Sequence, residues 1–121
     1  MKIKVMLVDD HAVVRSGLTV LINLQIDMEV IAVASNGEEA YVIAIDKQPD
    51  VIVMDLNMPG ENGMLTTARI KKAMPKAEIL VLTMHDYKDY LFRVLRAGAS
   101  GYILKRRRYG CHVGDSDSSE R

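Results

Sequence analysis

This sequence has one cysteine, Cys111, and no tryptophan. A lone thiol in a polar tail cannot close an internal disulfide, and a metal cage built on thiolates is excluded with it. Cys111 therefore reads as an exposed, unpaired thiol. Net charge is missing as well: sixteen Lys plus Arg balance sixteen Asp plus Glu, so no global field draws the chain to nucleic acid or to an anionic membrane. Long apolar runs are also absent. The longest, such as 5–8 and 51–54, are far too short to span a bilayer, and the N-terminus lacks the apolar segment and small-residue cleavage site of a signal peptide. The expectation is a cytoplasmic protein whose functional site is built locally.

What is present is a 49 % hydrophobic chain of 121 residues, enough for one core in one domain. No internal repeat interrupts it. Short β-rich apolar runs alternate with segments of helical period, the signature of βα units. The strand candidates are Ile3–Val8, Met28–Ala34, 51–54, 79–83 and 102–104. Several are apolar at nearly every position, as strands are when helices cover both faces of a parallel sheet.

Between the strands, Val14, Leu18, Leu21 and Ile22 recur at helical spacing within 12–24, and Leu91, Val94 and Leu95 do so within 88–97. Ser35 followed by Glu38 fits a capping box opening a second helix, with Ala40, Ile43 and Ala44 as its inner face and Pro49 beyond its end. A third helix over 64–74 carries Met64, Ile70 and Met74 and stops at Pro75. Gly98 is placed to end the fourth. The expected fold is α/β: a doubly wound, five-stranded parallel sheet of flavodoxin-like order 2-1-3-4-5.

Ligand sites in such sheets lie beyond the carboxyl ends of the strands. Asp9 and Asp10 directly follow the first strand, Asp55 follows the 51–54 run, Thr83 ends the fourth and Lys105 follows the fifth. Any one of them alone would be an ordinary capping or turn residue. Together, on strand ends that a parallel sheet brings to one edge, they form a candidate site. Carboxylates crowded there repel one another, and a hard divalent cation with oxygen preference relieves the repulsion. Mg²⁺ suits such a site, held by Asp10, Asp55 and a backbone carbonyl near Asn57, with Asp9 acting through water. A carboxylate is also a competent covalent acceptor of a phosphoryl group, provided charge on the transferring oxygens is neutralised. Lys105 offers a cation for that purpose and Thr83 a hydroxyl donor. Pro59, Gly60 and Gly63 read as a tight turn beside Asp55. His11 and His85 have no partner at ligand spacing and read as surface or loop residues.

The motifs VDDH at 8–11, VMDLNMPGENG at 53–63, VLTMHD at 81–86 and AGASGYILK at 97–105 resemble the response-regulator receiver family over residues 1–105. The last two segments are most similar to the NarL/LuxR-type branch, whose full-length members carry a helix-turn-helix output domain. The resemblance implies a two-component signalling switch. A sensor histidine kinase would donate phosphate to Asp55, with Asp9, Asp10, Asp55 and the Asn57 carbonyl holding Mg²⁺ and with Thr83 and Lys105 contacting the phosphoryl group. Such a domain catalyses its own phosphorylation and dephosphorylation without being a turnover enzyme on an external substrate. Tyr102 falls where the family has a switch aromatic, turning inward as Thr83 moves to the phosphate.

The chain departs from that pattern after Lys105. From Arg106 to Arg121 it has no Leu, Ile, Met or Phe, so no apolar stripe is present for a fifth helix, and 106–121 reads as a polar, irregular tail in which Arg106–Arg108 are solvated. An uncovered apolar surface is then expected, with self-association as a homodimer or larger species through it. This chain, without an output domain, is not expected to bind DNA or membrane. Two rival readings are a phosphorylation-independent interaction domain and a haloacid-dehalogenase-like phosphatase. The intact set of Asp9, Asp10, Asp55, Thr83 and Lys105 argues against the first. Asn57, standing where the second wants an acidic residue, argues against that one.

Overall fold

The computed structural model describes residues 2–56, 63–83 and 88–104. Within them the chain runs β1 (Ile3–Val8), α1 (Ala12–Asn23), β2 (Met28–Ala34), α2 (Gly37–Lys47), β3 (Val51–Asp55), α3 (Gly63–Ala73), β4 (Glu78–Thr83), α4 (Lys88–Arg96) and β5 (Gly101–Leu104). The strands form one five-stranded sheet in the order β2-β1-β3-β4-β5, and every neighbouring pair is parallel. This is the expected doubly wound topology, with β3 at its centre, flanked by β1 and β4.

The central strands are apolar on both faces, as strands inside a parallel sheet with helices against it are. Val5, Met6, Leu7 and Val8 are at most 1 % exposed. Alternation of side chains sends Met6, Val8, Ile52, Met54, Ile79 and Val81 to the face where Ala40 and Ala44 of α2, Ile70 of α3 and Val94 of α4 complete the core. α2 and α3 are also joined at the surface. Arg69 pairs with Glu38 at 3.2 Å and lies 3.9 Å over the Tyr41 ring.

The opposite face is less well covered among the described residues. α1 lies there, yet none of its residues is buried. Leu21, expected on its inner face, is 60 % exposed. Val14, Leu18 and Ile22 are only half-buried. Val33 on β2 and Ile103 on β5 are exposed on the strands of the same face. The tail 106–121 and Cys111 lie outside the described residues, as does His85.

Two helix ends explain themselves through backbone conformation. Gln48 closes α2 in the left-handed region at φ 51°, its N–H donating to Ala44 O, just before Pro49. Gly98 follows α4 at φ +118°, a conformation that side-chain-bearing residues rarely adopt, and a β-carbon there would meet Lys71 Cγ at 2.8 Å. The start of α2 corrects the expected capping box. Asn36 is the N-cap and accepts from Glu39 N at 2.8 Å. Glu39, not Glu38, reaches back to accept from Ser35 N at 2.6 Å and Ser35 Oγ at 3.1 Å. Those bonds, the backbone one first, hold the Glu39 carboxyl below its ordinary value of 4.5. Glu38 is left for its pairing with Arg69.

Candidate functional site

β1, β3 and β4 are neighbours, so their carboxyl ends meet at one edge of the sheet. Asp55 is the last residue of β3 and pairs in register with Leu82, which places Thr83 one residue further along the adjacent strand. Leu56 N donates to Leu82 O at 2.9 Å and holds that register past the strand end. Gly63, the first residue of α3, sits against Leu56, where a β-carbon would approach Leu56 Cδ2 to 2.5 Å. The helix therefore starts close beside Asp55 because a glycine stands at that point.

Asp9 leaves β1 buried, 1 % exposed, with its N–H donating to Ala34 O at 3.1 Å. Asp55 and Thr83 are fully buried, whereas the Asp10 side chain is 31 % exposed. Ligand atoms of Asp9, Asp10, His11 and Asp55 all lie within 4.8 Å of one another. Asp9, Asp10, Asp55 and Thr83 are thus brought to the edge as expected. Asn57 and Lys105 lie outside the described residues. Tyr102 is 39 % exposed on β5; it pairs with Val81 as Leu104 pairs with Thr83, so Tyr102 and Thr83 share a face of the sheet.

Two residues join the site that the sequence reasoning did not place there. His11, read as a surface residue without a ligand-spaced partner, stands at the N-cap of α1 without capping it. Its Nδ1 lies 2.9 Å from Asp10 Oδ1 and 3.2 Å from Asp9 Oδ1, and its N–H donates to Asp9 Oδ1 at 2.8 Å. The signal was adjacency itself, since a strand-to-helix corner turns consecutive side chains toward one point. Arg15, one turn into α1, sends Nη1 back to the main-chain oxygen of Asp9 at 2.6 Å.

The donor set suits a divalent cation. Within this cluster the buried Asp9 Oδ2 has no hydrogen-bond partner among the described residues, and a buried carboxylate oxygen left so carries a desolvation cost that a cation would remove. Hard carboxylate oxygens are the donors Mg²⁺ takes, and the exposure of Asp10 leaves room for retained waters. A cleft of about 640 Å³ lies at the other end of the sheet, lined by Ile3, Pro49, Met74 and Pro75 among others. It has no comparable cluster of ligating groups among the described residues. None of the described helices is long and apolar enough to cross a membrane.

Comparison with known proteins agrees with this geometry. The family model for the response regulator receiver domain matches residues 5–109. The oxygen regulatory protein NreC of Staphylococcus haemolyticus is 52 % identical over 103 residues, covering 84 % of this chain and 48 % of that protein. NreC of Staphylococcus carnosus matches to the same extent. The chain spans about half the length of these curated relatives. Among solved structures, a LuxR-family two-component response regulator from Aurantimonas sp. SI85-9A1 superposes with a TM-score of 0.80 at 38 % identity, over 86 % of this chain and 74 % of that one. The response regulator domain of Thermotoga maritima CheB superposes with a TM-score of 0.82 at 35 % identity, over 88 % and 81 %. With the sheet order, the acidic edge and these matches in agreement, the chain belongs to the response regulator receiver family.

Proposed function

We propose that this chain is a phosphorylation-dependent signalling switch whose acceptor is Asp55, charged by the phosphohistidine of a sensor histidine kinase. The observation that carries the reading is the meeting of the Asp9, Asp10 and Asp55 carboxylates within 4.8 Å at the sheet edge, with Thr83 ending the neighbouring strand. Residues 1–105 form the acting domain and 106–121 a tail outside it.

Asp9, Asp10 and Asp55, with the main-chain carbonyl of Asn57, would hold Mg²⁺. Bound there, the ion supplies positive charge for the transferring oxygens. The chain's own residues do the rest. A carboxylate oxygen of Asp55 attacks phosphorus in line, the P–N bond to the donor imidazole breaks, and the imidazole leaves with the electron pair and takes up a proton. The Thr83 hydroxyl donates to a phosphoryl oxygen, and Lys105 places its ammonium against another. Burial of Asp55 and Thr83 keeps water from competing with these donors. As Thr83 shifts toward the phosphate, Tyr102 on the same face turns inward and reshapes the α4–β5 surface.

Phosphotransfer from a kinase to a regulator of transcription places the chain in the cytoplasm. The switch would control a DNA-binding output domain. A second copy of the chain is the partner assigned to the apolar face that exposes Leu21, Val33 and Ile103. Size-exclusion chromatography with light scattering is expected to show a dimer or larger species, and a monomer at high concentration would refute that assignment.

The switch is tested by incubation with Mg²⁺ and a small phosphodonor, followed by intact-mass measurement. A single labile phosphate is expected, abolished by Asp55→Asn and by chelation of the metal. Continuous turnover of the donor would indicate a phosphatase instead, and no change in mass a phosphorylation-independent interaction module.

A further inference from the structure

We propose that His11 makes the acidic pocket a mixed imidazole–carboxylate site that binds a late first-row divalent cation, Zn²⁺ foremost, in competition with Mg²⁺. The inference rests on the pocket proposed above and adds a selectivity to it. Metal–donor bonds of about 2.0–2.2 Å separate neighbouring donors in one coordination sphere by about 2.8–3.6 Å. The His11 Nδ1 contacts, 2.9 Å to Asp10 Oδ1 and 3.2 Å to Asp9 Oδ1, both fall in that interval. Asp55 completes a set of four donors confined within 4.8 Å.

An independent feature points to a cation at the same place. Asp9 is 1 % exposed, yet its Oδ2 has no hydrogen-bond partner among the described residues, so the pocket holds a buried carboxylate oxygen that they leave unsatisfied. His11 is fixed by its own N–H on Asp9 Oδ1, at 2.8 Å. Its imidazole is not used for capping α1, and with 60 % of its side chain exposed it leaves space for water ligands. Imidazole nitrogen raises affinity for Zn²⁺, Ni²⁺ and Cu²⁺ far more than for Mg²⁺, which prefers an all-oxygen shell. Because Zn²⁺ would use the Asp9, Asp10 and Asp55 oxygens that Mg²⁺ needs, the two ions would exclude one another from the pocket.

The test uses the full chain with Cys111→Ser, His85→Ala and His112→Ala, which leaves His11 as the only imidazole and removes the tail thiol. Zn²⁺ and Mg²⁺ affinities are measured by calorimetry on this protein and on the same protein with His11→Gln. Pulsed electron paramagnetic resonance of the Cu²⁺-loaded forms reads nitrogen coordination directly. The expected result is a loss of Zn²⁺ affinity of about tenfold or more on removing the imidazole, with Mg²⁺ affinity changed by less than about twofold. Imidazole nitrogen modulation should be present before the substitution and absent after it. Equal Zn²⁺ affinities, or no nitrogen modulation with His11 intact, would overturn this inference and leave the Mg²⁺ pocket standing. Failure of the His11-containing protein to bind Mg²⁺ at all would overturn both.

Discussion

The Arg15 guanidinium donates from Nη1 to the main-chain oxygen of Asp9 at 2.6 Å, tying the first turn of α1 to the residue that leaves β1 for the acidic edge. The bond uses a charged donor at a part-buried site, worth about 1.5–3 kcal/mol. Arg15→Met keeps the bulk of the stem and removes the donor. Calorimetry is expected to show Mg²⁺ affinity lowered by about tenfold with the circular dichroism spectrum unchanged. Unaltered affinity would mean that the Asp9 backbone holds its place without Arg15.

Thr83 is fully buried at the end of β4, so its hydroxyl can face the phosphoryl group without competing water. Thr83→Ala is expected to slow phosphorylation by a small phosphodonor by about a hundredfold or more, as loss of one preorganised donor does. Mg²⁺ affinity should stay near that of the parent. A rate unchanged within error would remove Thr83 from the reaction.

The α2 cap gives a pH-dependent contribution. Glu39 has its folded pKa lowered by the Ser35 backbone and hydroxyl bonds. Its contribution is therefore fully present above the unfolded value of 4.5 and is lost as pH falls through the folded value. Urea unfolding of Glu39→Gln against the parent should show a constant deficit near neutrality that closes below pH 4.5. Asn36→Ala, which removes the acceptor for Glu39 N, should cost about 1 kcal/mol at all these pH values.

Gly98 holds φ at +118°, with Lys71 Cγ 2.8 Å from where a β-carbon would lie. Gly98→Ala combines backbone strain with that contact and is expected to destabilise the fold by about 1–3 kcal/mol, read as a lowered urea midpoint. Lys71 Nζ also donates to Ala77 O at 2.6 Å, so its stem has little freedom to move aside.

Much of this molecule is legible in its sequence because periodicity and strand-end chemistry are local properties. Runs such as Val5 to Val8 and the 51–54 segment announce strands buried on both faces, and the sheet order follows from a small set of permitted topologies. Asp9, Asp10, Asp55 and Thr83 could then be placed at one edge before any coordinates. The cap of α2 was misplaced by one residue because Ser35 and Asn36 are both capping types and Glu38 and Glu39 both acceptors. Only the turn geometry decides between them. Leu21 was expected inward because α1 has a helical apolar stripe; the stripe exists, but among the described residues nothing covers that part of it. His11 and Arg15 were missed at the site for a different reason. Spacing rules look along a helix or strand, whereas these two reach Asp9 across a corner whose bend is not written in any residue pattern.

The central claim is that Asp55 itself becomes an acyl phosphate. The direct measurement is borohydride reduction of the phosphodonor-treated, Mg²⁺-loaded chain followed by peptide mass mapping, since borohydride converts an aspartyl phosphate to homoserine. Homoserine in place of Asp55, absent without metal or donor, is the expected result. Homoserine at Asp9 or Asp10, or at no position in a chain that has bound Mg²⁺, would contradict it.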